Sequence, residues 1–371
     1  MIGHPTYGGS GVIAAELARY LAAQGHEVHF FSHAYPVRLF SGRNNVFFHE
    51  VAPLDYPLFK YPPFELAFIS RIIEVFQQHP LDLLHVHYAI PHAFIALSVR
   101  NILQAEGHRL PFVVTLHGTD STLLGKDPSY HPVITHTLKA ADHVTVVSEF
   151  LKEDCMRSFC LDREPAVIPN FVDLEVFRRR PTPDLRAQYA EEREMLLIHV
   201  SNFRPLKRVD WVLDTFHIVQ QHIPARLLMI GDGPDLPRAE QLARRLNISD
   251  RVHFLGKMLD VVSCYAVADT FLLTSETESF GLAALEAMAC EVPVAAFRVG
   301  GIPEVVIDRQ TGWLAPLGDI EALARPIIEV WRHPDRLADM RQAARRRAAD
   351  FDLRRIAPRY QEAYAQVLSS S

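Results

Sequence analysis

The chain is poor in cysteine and has no long apolar run. Its four cysteines, Cys155, Cys160, Cys264 and Cys290, are scattered and form no C-x-x-C pair, which favours reduced thiols over disulfides. No segment approaches the roughly 18 uninterrupted apolar residues of a membrane span, and no basic stretch followed by an apolar core opens the chain. The sequence therefore predicts a soluble, cytoplasmic protein.

Strong positive charge and internal repetition are also missing. The formal net charge is −6, which argues against a general nucleic-acid binder although it leaves room for local basic sites. We find no repeat of about 20 to 50 residues and no low-complexity tract. The chain does have 371 residues of which 49% are hydrophobic, enough for a large core and for two or three domains.

Strand-like apolar runs alternate with helical patterns, which indicates α/β layers around parallel sheets. In the first half, the predicted helices are 12–23 and 66–78, and the predicted strands are 27–32, 81–87, 112–116 and 143–147. Together they predict one doubly wound domain over residues 1–172. Only three residues precede His4-Pro5, where a first strand of about five residues is usual, so an initiator upstream of Met1 is left open.

The polar, proline-punctuated segment 178–183 marks a domain boundary, after which the alternation restarts. The predicted strands are 196–201, 226–230, 252–255, 270–274 and 292–296, and the last predicted helices are 320–331, 335–350 and 353–368. These patterns predict a second doubly wound domain over residues 173–352 and a C-terminal segment, 353–371. Because open α/β sheets bind ligands at the carboxyl ends of their strands, the cleft between the two domains is the expected site.

The most informative stretch is 275–289, a polar loop that follows a predicted strand and leads into a predicted helix, 280–289. The free N–H groups of the first helical turn suit a diphosphate, and Gly281 lets a ligand approach the backbone. Glu278 and Glu286, about two turns apart, project on roughly the same side, where one could hold sugar hydroxyls and the other ribose hydroxyls. An acidic loop followed by a solvated glutamate is the structural alternative.

Three further loops carry candidate binding groups. The glycine run 8–11 opens the first predicted helix, so its amides can approach an anion, unless it is a structural turn. The loop 201–208 contains three cations, Arg204, Lys207 and Arg208. They could neutralise a leaving diphosphate without a metal, or form a solvated basic turn. The tight turn 231–235 is either a wall of a base-binding site or a plain turn.

In this order along the chain, the motifs resemble the retaining, nucleotide-sugar-dependent glycosyltransferases of family 4. The resemblance covers nearly the whole chain and rests on Gly8–Gly11, His117–Asp120, the Arg204 and Lys207 loop, Gly231–Pro234, Glu278–Leu282 and Glu286. It implies an α/β GT-B fold, with two doubly wound, Rossmann-like domains that face an interdomain cleft. It also implies that the C-terminal helix, 353–371, returns to the N-terminal domain. The motifs Gly8–Val12, His85–His92, His117–Asp120 and Ser201–Arg204 are most similar to members that transfer N-acetylglucosamine from UDP-N-acetylglucosamine to L-malate in bacillithiol biosynthesis.

By position, the resemblance implies that Lys207, with Arg204 beside it, holds the donor diphosphate. Many members have an arginine where Asn202 stands, a charge that Arg204 would supply from a shifted position. No carboxylate is placed as a covalent nucleophile, and the family implies attack on the same face from which the diphosphate leaves, with the leaving phosphate oxygen accepting the proton of the acceptor. Catalysis is then chiefly positioning and charge stabilisation. The implied catalytic residues are His117, Arg204, Lys207 and Glu278.

The resemblance also implies how the rest of the donor is held. Glu286 would hold the ribose, and Glu278 would hold the sugar together with the amides that follow it. His117 would lie against the sugar near the reacting carbon. The implied donor-binding residues are Gly9, Ser10, Gly11, Gly231, Asp232, Phe280, Gly281, Leu282 and Glu286.

The implied acceptor site lies in the first domain. Its candidate residues are Ser10, Tyr88, Thr119, Lys60 and Arg38, which offer hydrogen-bond donors and charged partners to a dicarboxylate. A tyrosine that simply packs at a strand end and a solvated lysine are the structural alternatives for Tyr88 and Lys60. No metal and no other cofactor is implied, and a homodimer is compatible with the resemblance.

Other functions stay open beside this one. His85, His87, His92 and His117 could bind a metal in a hydrolase, although histidines at strand ends are more often hydrogen-bonded structural residues. A UDP-N-acetylglucosamine epimerase and a catalytically silent sugar-nucleotide-binding protein share the two-domain plan. A family 4 glycosyltransferase with another small or lipid acceptor is a further alternative. Donor turnover, metal content and product analysis distinguish them.

Overall fold

The structure, a computed structural model, describes residues 1–6, 8–39, 45–54, 57–58, 60–119, 124–180 and 182–369. The chain divides into two compact units. Unit 1 comprises Met1–Asn170 and Ile356–Ser371, and unit 2 comprises Phe171–Arg355. The sequence predicts boundaries after residues 172 and 352, whereas the units divide after residues 170 and 355.

Unit 1 is built around parallel strands. The strands are β1 (Val28–Ser32), β2 (Val46–Glu50), β3 (Leu84–His87), β4 (Phe112–Leu116), β5 (His143–Val146) and β6 (Ala166–Val167). They form the orders β1-β2 and β3-β4-β5-β6, and Ile2 joins the two groups by pairing in parallel with Phe31 and Val86. Ile2 alone therefore occupies the position in the sheet between β1 and β3 that the first strand of such a domain usually has. The order of strands reverses at Ile2, which makes its neighbourhood the switch point of unit 1.

Helices cover the strands of unit 1. They are α1 (Gly9–Ala23), α2 (Phe64–Gln78), α3 (Phe94–Ala105), α4 (His131–Ala140) and α5 (Glu149–Phe159). The predicted start of the first helix at Val12 is wrong, because Gly9, Ser10 and Gly11 already form its first turn and Gly8 is its N-cap. The sequence analysis did not predict β2, β6, α3, α4 or α5 as elements.

Unit 2 contains a six-stranded parallel sheet. Its strands are β7 (Met195–Val200), β8 (Ala225–Ile230), β9 (Val252–Gly256), β10 (Thr270–Leu273), β11 (Val294–Phe297) and β12 (Gly312–Ala315), in the order β12-β11-β10-β7-β8-β9. Strands β7, β10 and β11 are buried along almost their whole length, as parallel strands covered on both faces must be. The order reverses between β7 and β10, so the switch point of unit 2 lies between these strands.

The helices of unit 2 close both faces of this sheet. They are α6 (Pro183–Tyr189), α7 (Val209–His222), α8 (Leu236–Arg245), α9 (Val261–Val267), α10 (Leu282–Ala289), α11 (Ile302–Val305), α12 (Ile320–Trp331) and α13 (Pro334–Ala348). A hydrophobic cluster that includes Leu197, Phe216 and Ile327 joins the sheet to α7 and α12. The sequence places a helix start at Phe280, but α10 begins at Leu282 with Gly281 as its N-cap. Strand β12 was not predicted.

The last helix, α14 (Leu353–Ser369), begins in unit 2 and continues into unit 1. Within unit 1, the Tyr364 hydroxyl lies 2.6 Å from His85 Nδ1, and His85 Nε2 lies 2.7 Å from Thr115 Oγ1. Burial holds the pKa of His85 well below its usual value, so a neutral imidazole links the helix to the sheet. Among the described residues, no helix has both the length and the apolar character needed to cross a membrane.

Candidate functional site

Two loops meet at the carboxyl edge of the unit 2 sheet, at its switch point. The loop 201–208 follows β7, and the loop 274–281 follows the neighbouring strand β10. The Thr274 hydroxyl donates to the carbonyls of Lys207 and Arg208, at 3.2 and 2.9 Å, and the Glu276 amide donates to the Leu206 carbonyl at 3.0 Å. The predicted basic loop and the predicted acidic loop are thus tied together by hydrogen bonds.

Lys207 and Glu278 form an ion pair at this junction. The Lys207 ammonium donates to Glu278 Oε1, and the same oxygen accepts from the Ser275 hydroxyl at 2.8 Å. The side chains of Lys207 and Glu278 are 21% and 13% exposed, so both reach the surface of the unit. An ammonium has three donors, and the two not used by Glu278 are available to an anionic ligand.

The three predicted cations of the basic loop do not share one environment. Arg208 is held within the protein: its guanidinium donates to Asp210 at 2.9 and 3.0 Å and to Glu276 at 2.7 Å, and it stacks over the Trp211 ring at 3.3 Å. Because these contacts occupy its guanidinium, Arg208 is less suited than Lys207 to neutralise a diphosphate, and the role of the basic loop toward a ligand stays a prediction. Arg204, in contrast, is exposed, and within the described part of the chain its side chain has no hydrogen bond or ion pair.

Helix α10 presents an uncapped N-terminus beside Glu278. No side chain caps it, and its N-cap Gly281 has φ 91°, a conformation that favours glycine. A Cβ atom at Gly281 would lie 2.5 Å from Ile302 Cδ1. The Phe280 ring is buried against Phe351, so only the backbone of Phe280 is suited to a ligand. The amides of the first turn, which begins at Leu282, are left as donors.

Two glycines that the sequence analysis missed set the position of Glu278. Gly301 donates its amide to the Glu278 carbonyl at 2.8 Å. A Cβ atom at Gly300 would lie 1.9 Å from the Glu278 carbonyl oxygen, and one at Gly301 would lie 2.3 Å from that of Ser279. The loop after β11 therefore packs directly against the backbone of the acidic loop. The signal in the sequence was the Gly-Gly-Ile-Pro turn that follows a strand.

The glycines of the turn after β8 also allow two backbone segments to approach each other closely. A Cβ atom at Gly231, where φ is 128°, would lie 1.7 Å from the Ser201 carbonyl oxygen, and one at Gly233 would lie 2.1 Å from that of Asn202. Asp232 lies 3.2 Å from the Lys257 ammonium. The turn thus packs against the basic loop, and this close packing explains why both positions are glycine. Binding of a base by Gly231 and Asp232 stays a prediction.

Glu286 is buried in α10, with 7% of its surface exposed. The Tyr265 hydroxyl lies 3.4 Å from its Oε2 atom. Burial, with the Glu286 charge as the next cause, raises the pKa of the neighbouring Cys290 thiol to about 12. The predicted role of Glu286 toward ribose hydroxyls remains a prediction.

His199, which the sequence analysis did not single out, anchors the basic loop from inside β7. Its Nδ1 atom lies 2.9 Å from the Leu272 carbonyl of β10 and must donate, so Nε2 accepts from the Ser201 hydroxyl at 2.8 Å. Ser201 Oγ in turn accepts from the Phe203 amide at 3.3 Å. Burial lowers the pKa of His199 to about 4, so the imidazole keeps this neutral, tautomer-specific bonding at neutral pH.

A second candidate group lies at the switch point of unit 1. The Ser10 hydroxyl, in the first turn of α1, lies 3.4 Å from the Tyr88 hydroxyl. Tyr88 directly follows β3 and has φ 87°, an uncommon conformation that tends to occur at functional sites. Gly11 allows α1 to approach the preceding segment, because a Cβ atom there would lie 2.4 Å from the His4 carbonyl oxygen.

His117 joins this group from the end of β4. Its ring lies 5.8 Å from that of Tyr88, and its Nε2 atom lies 2.9 Å from His87 Nδ1. Among the described residues, buried His87 Nε2 has no hydrogen-bond partner. An unpaired acceptor at this buried position costs less free energy than an unpaired N–H group. The proton of His87 therefore lies on Nδ1, which donates to His117. His117 then carries its own proton on Nδ1. Burial lowers the pKa of His117 to about 3, so the ring is neutral at pH 7.

The other predicted acceptor residues are less closely grouped. Arg38 donates to Glu16 Oε1 of α1 at 3.0 Å. Lys60 is exposed, with its ammonium 5.4 Å from the Tyr61 ring. Thr119 is half-buried one residue beyond Gly118, and Asp120 of the same motif lies outside the described residues. The structure therefore brings Ser10, Tyr88 and His117 together and records no contact of Lys60 with them.

The four histidines of the rival metal-site hypothesis bond within the protein. His85 contacts Thr115 and Tyr364, His87 contacts His117, and His92 donates from Nδ1 to the His87 carbonyl at 2.6 Å. Across the described ranges, the group of three side chains whose ligand atoms lie within 4.8 Å of one another is a different one, Glu27, His29 and His79.

The chain matches two family descriptions that together span most of its length. Residues 7–176 match "Glycosyltransferase Family 4", and residues 182–347 match "Glycosyl transferases group 1". Over 367 residues, 98% of this chain and 96% of the relative, it is 41% identical to N-acetyl-alpha-D-glucosaminyl L-malate synthase of Bacillus anthracis.

Solved structures resemble the chain over its full length. Sucrose-phosphate synthase from Thermosynechococcus elongatus superposes with a TM-score of 0.83 at 24% identity and covers 100% of this chain and 96% of its own. HepE of Anabaena, in complex with UDP-glucose, superposes with a TM-score of 0.82 at 21% identity over 100% and 99% of the two chains. At these identities the likeness concerns the fold.

Proposed function

The chain belongs to the family 4 glycosyltransferases, and from that premise we propose that it transfers N-acetylglucosamine from UDP-N-acetylglucosamine to the hydroxyl of L-malate. Its fold is GT-B, with two Rossmann-like α/β domains. The observation that carries the proposal is 41% identity over 98% of the chain to an N-acetyl-alpha-D-glucosaminyl L-malate synthase. The reaction would be the first step of bacillithiol biosynthesis.

The donor half of the proposal rests on unit 2. Lys207, Glu278 and the uncapped start of α10 lie on loops that follow β7 and β10, on either side of a switch point, where open α/β sheets bind nucleotides. A diphosphate would take the free donors of Lys207 and the amides of the helix start. Glu278, released from part of its ion pair, would accept hydroxyl groups of the sugar.

The acceptor half rests on unit 1. The hydroxyls of Ser10 and Tyr88 and the Nδ1–H of His117 offer three neutral donors near one another. Arg38 would bring a positive charge only if a carboxylate of the acceptor competed with Glu16 for it. These donors suit the orientation of a hydroxyl and a carboxylate rather than the neutralisation of a diphosphate.

We further propose that the α configuration of the donor is retained and that no metal takes part. In this mechanism the malate hydroxyl attacks the anomeric carbon on the face from which UDP departs, and the leaving phosphate oxygen takes its proton. Lys207 stabilises the charge that develops on the diphosphate, a role that a divalent cation has in other transferases. UDP-N-acetylglucosamine and malate are metabolites of the cytoplasm, where we place the reaction.

The test is product analysis by mass spectrometry and NMR after incubation with UDP-N-acetylglucosamine and separate acceptors: L-malate, L-lactate and inositol phosphate. We expect α-linked N-acetylglucosaminyl malate. In the proposed complex Arg38 binds the second carboxylate of malate, so lactate, which lacks that carboxylate, should be disfavoured by at least about 1,000-fold in kcat/KM.

The outcomes separate the levels of the proposal. A better kcat/KM with lactate or inositol phosphate would refute the malate assignment and leave the glycosyltransferase assignment intact. Formation of a free epimer of the sugar without any acceptor would favour the epimerase instead. As a matched pair of variants, Tyr88→Phe should raise the KM for malate, whereas Tyr130→Phe, at an exposed tyrosine of the same unit, should not.

A further inference from the structure

A cluster of histidines lies at the amino-terminal end of β1, at the opposite edge of the sheet from the candidate acceptor site. Glu27 immediately precedes β1, His29 is its second residue, and His79 is the C-cap of α2. His29 is buried, whereas the side chains of Glu27 and His79 are 56% and 57% exposed. No role in the proposed transfer reaction uses these residues.

The three side chains converge on one point. Glu27 Oε1 lies 2.8 Å from His29 Nε2 and 4.0 Å from His79 Nδ1, and all three ligand atoms lie within 4.8 Å of one another. In a tetrahedral zinc site with bonds of about 2.0 Å, ligand atoms are about 3.3 Å apart. Because Glu27 and His79 are exposed, they can make this small adjustment while the buried His29 stays fixed.

A fourth residue orients the buried ligand. His49 Nε2 of β2 lies 2.8 Å from His29 Nδ1, and the two rings stack with centroids 5.1 Å apart. The Glu27 carboxylate can only accept, so His29 Nε2 donates to it and His29 Nδ1 accepts from His49 Nε2. With a metal on Nε2 this second bond reverses, and His49 then accepts from Nδ1–H, as the outer partner of a metal-binding histidine does.

We propose that Glu27, His29 and His79 form a binding site for a divalent transition metal such as Zn²⁺, with His49 as a positioning residue. Two imidazoles and one carboxylate are a ligand set that zinc commonly uses, with water in the remaining position. When the metal takes His29 Nε2, the His29 ring carries its proton on Nδ1 and donates it to His49 Nε2, and His49 carries its own proton on Nδ1, so both imidazoles stay neutral. The metal links the start of β1 to the end of α2, and it lies apart from the residues assigned to the transfer reaction.

The site is tested by adding Zn²⁺ to chelator-treated full-length protein and measuring binding by titration calorimetry and metal content after dialysis. We expect one Zn²⁺ per chain. Removal of an outer partner typically weakens metal binding about 10- to 100-fold, which we expect for His49→Gln, and Glu27→Gln and His79→Ala should lose more. His222→Ala is the matched control, because His222 is an exposed histidine in the last turn of a helix of unit 2.

A second readout is independent of enzymatic activity. Saturating Zn²⁺ should raise the Tm of the wild type and of His222→Ala, because a ligand that binds the folded state stabilises it, and should leave that of His79→Ala unchanged. Glu27 and His79 are exposed, so these variants are expected to fold. Failure of the wild type to bind Zn²⁺, or equal binding by the wild type and His79→Ala, would overturn the proposal.

Discussion

At the switch point of unit 2, the loops that follow β7 and β10 present an ion pair, Lys207 with Glu278, beside an uncapped helix. At the switch point of unit 1, the first turn of α1 and the segment after β3 present two hydroxyls, of Ser10 and Tyr88, and the end of the neighbouring strand β4 presents an imidazole, His117, that burial keeps neutral. The two units share a topology and differ in charge. Fixed charges suit the binding of a diphosphate, whereas neutral donors suit the orientation of a hydroxyl without protonating it.

The largest expected difference between the two units is in their stability at acidic pH. Burial lowers the pKa of His92 and of His117 to about 3, against about 6.5 in the unfolded chain. Between these values the unfolded chain binds more protons, so their contribution to stability is complete above pH 6.5 and is lost as the pH falls. At pH 4.5 the two groups together would lower the free energy of unfolding of unit 1 by about 5 kcal/mol.

The measurement for this prediction is hydrogen–deuterium exchange followed unit by unit from pH 7 to pH 4.5. Among the described residues, unit 2 has one histidine with a lowered pKa, His199, so unit 2 serves as the internal reference. Loss of protection in unit 2 before unit 1 would contradict the prediction.

Lys207→Ala should have the largest effect on turnover. The ammonium lies where charge would develop on the leaving diphosphate, and the loss of one such donor typically costs about 100- to 1,000-fold in kcat. The Kd of UDP should change by less, because UDP keeps its contacts with the helix start. Steady-state kinetics and calorimetry give the two numbers. Lys152→Ala, which removes an exposed pair with Glu164 at 2.7 Å, is the control, and unchanged kcat in folded Lys207→Ala would exclude Lys207 from the mechanism.

His117→Gln should have a smaller effect, because a neutral hydrogen bond is worth about 1 kcal/mol. We expect kcat to fall about fivefold to tenfold, with little change in the KM for the donor. His136→Gln, at an exposed histidine of α4, should match the wild type. If His117→Gln reduced kcat as much as Lys207→Ala does, the division between a charged and a neutral switch point would be wrong.

A chelator should have the smallest effect on turnover. Lys207, Arg204 and the amides of α10 take the place of a divalent cation in the proposed mechanism, so we expect kcat in EDTA to stay within about twofold of the untreated value. If the Glu27, His29 and His79 site holds zinc, EDTA should instead lower the Tm. Loss of turnover in EDTA, restored by one metal ion, would show that the charges of unit 2 are not sufficient.

The sequence allowed the elements of the site to be predicted better than their contacts. Buried strands such as β4 and β10 have continuous apolar runs, and β4 was predicted with its observed bounds, Phe112–Leu116. Strand β2 was missed because its residues are partly or fully exposed and give no such run. Helix α10 was predicted two residues too early, since a glycine at positive φ rather than a propensity sets its start.

Within the candidate site, proximity of Lys207 and Glu278 was implied by the family motifs. Their direct ion pair was not predicted. The contacts of the Arg208 guanidinium with Asp210, Glu276 and Trp211 could not be deduced from the sequence, because they depend on how the two loops fold against each other. The same holds for Gly300 and Gly301, whose importance appears only when the Cβ atoms that they lack are compared with the carbonyl oxygens of Glu278 and Ser279.

The passage of α14 from unit 2 into unit 1 has a consequence for synthesis on the ribosome. Unit 2 is one continuous segment, Phe171–Arg355, whereas unit 1 needs both Met1–Asn170 and Ile356–Ser371. During translation, the half of the sheet that contains His85 is made before unit 2, but its partner Tyr364 is made only after the whole of unit 2. We therefore expect unit 2 to fold before unit 1 is complete.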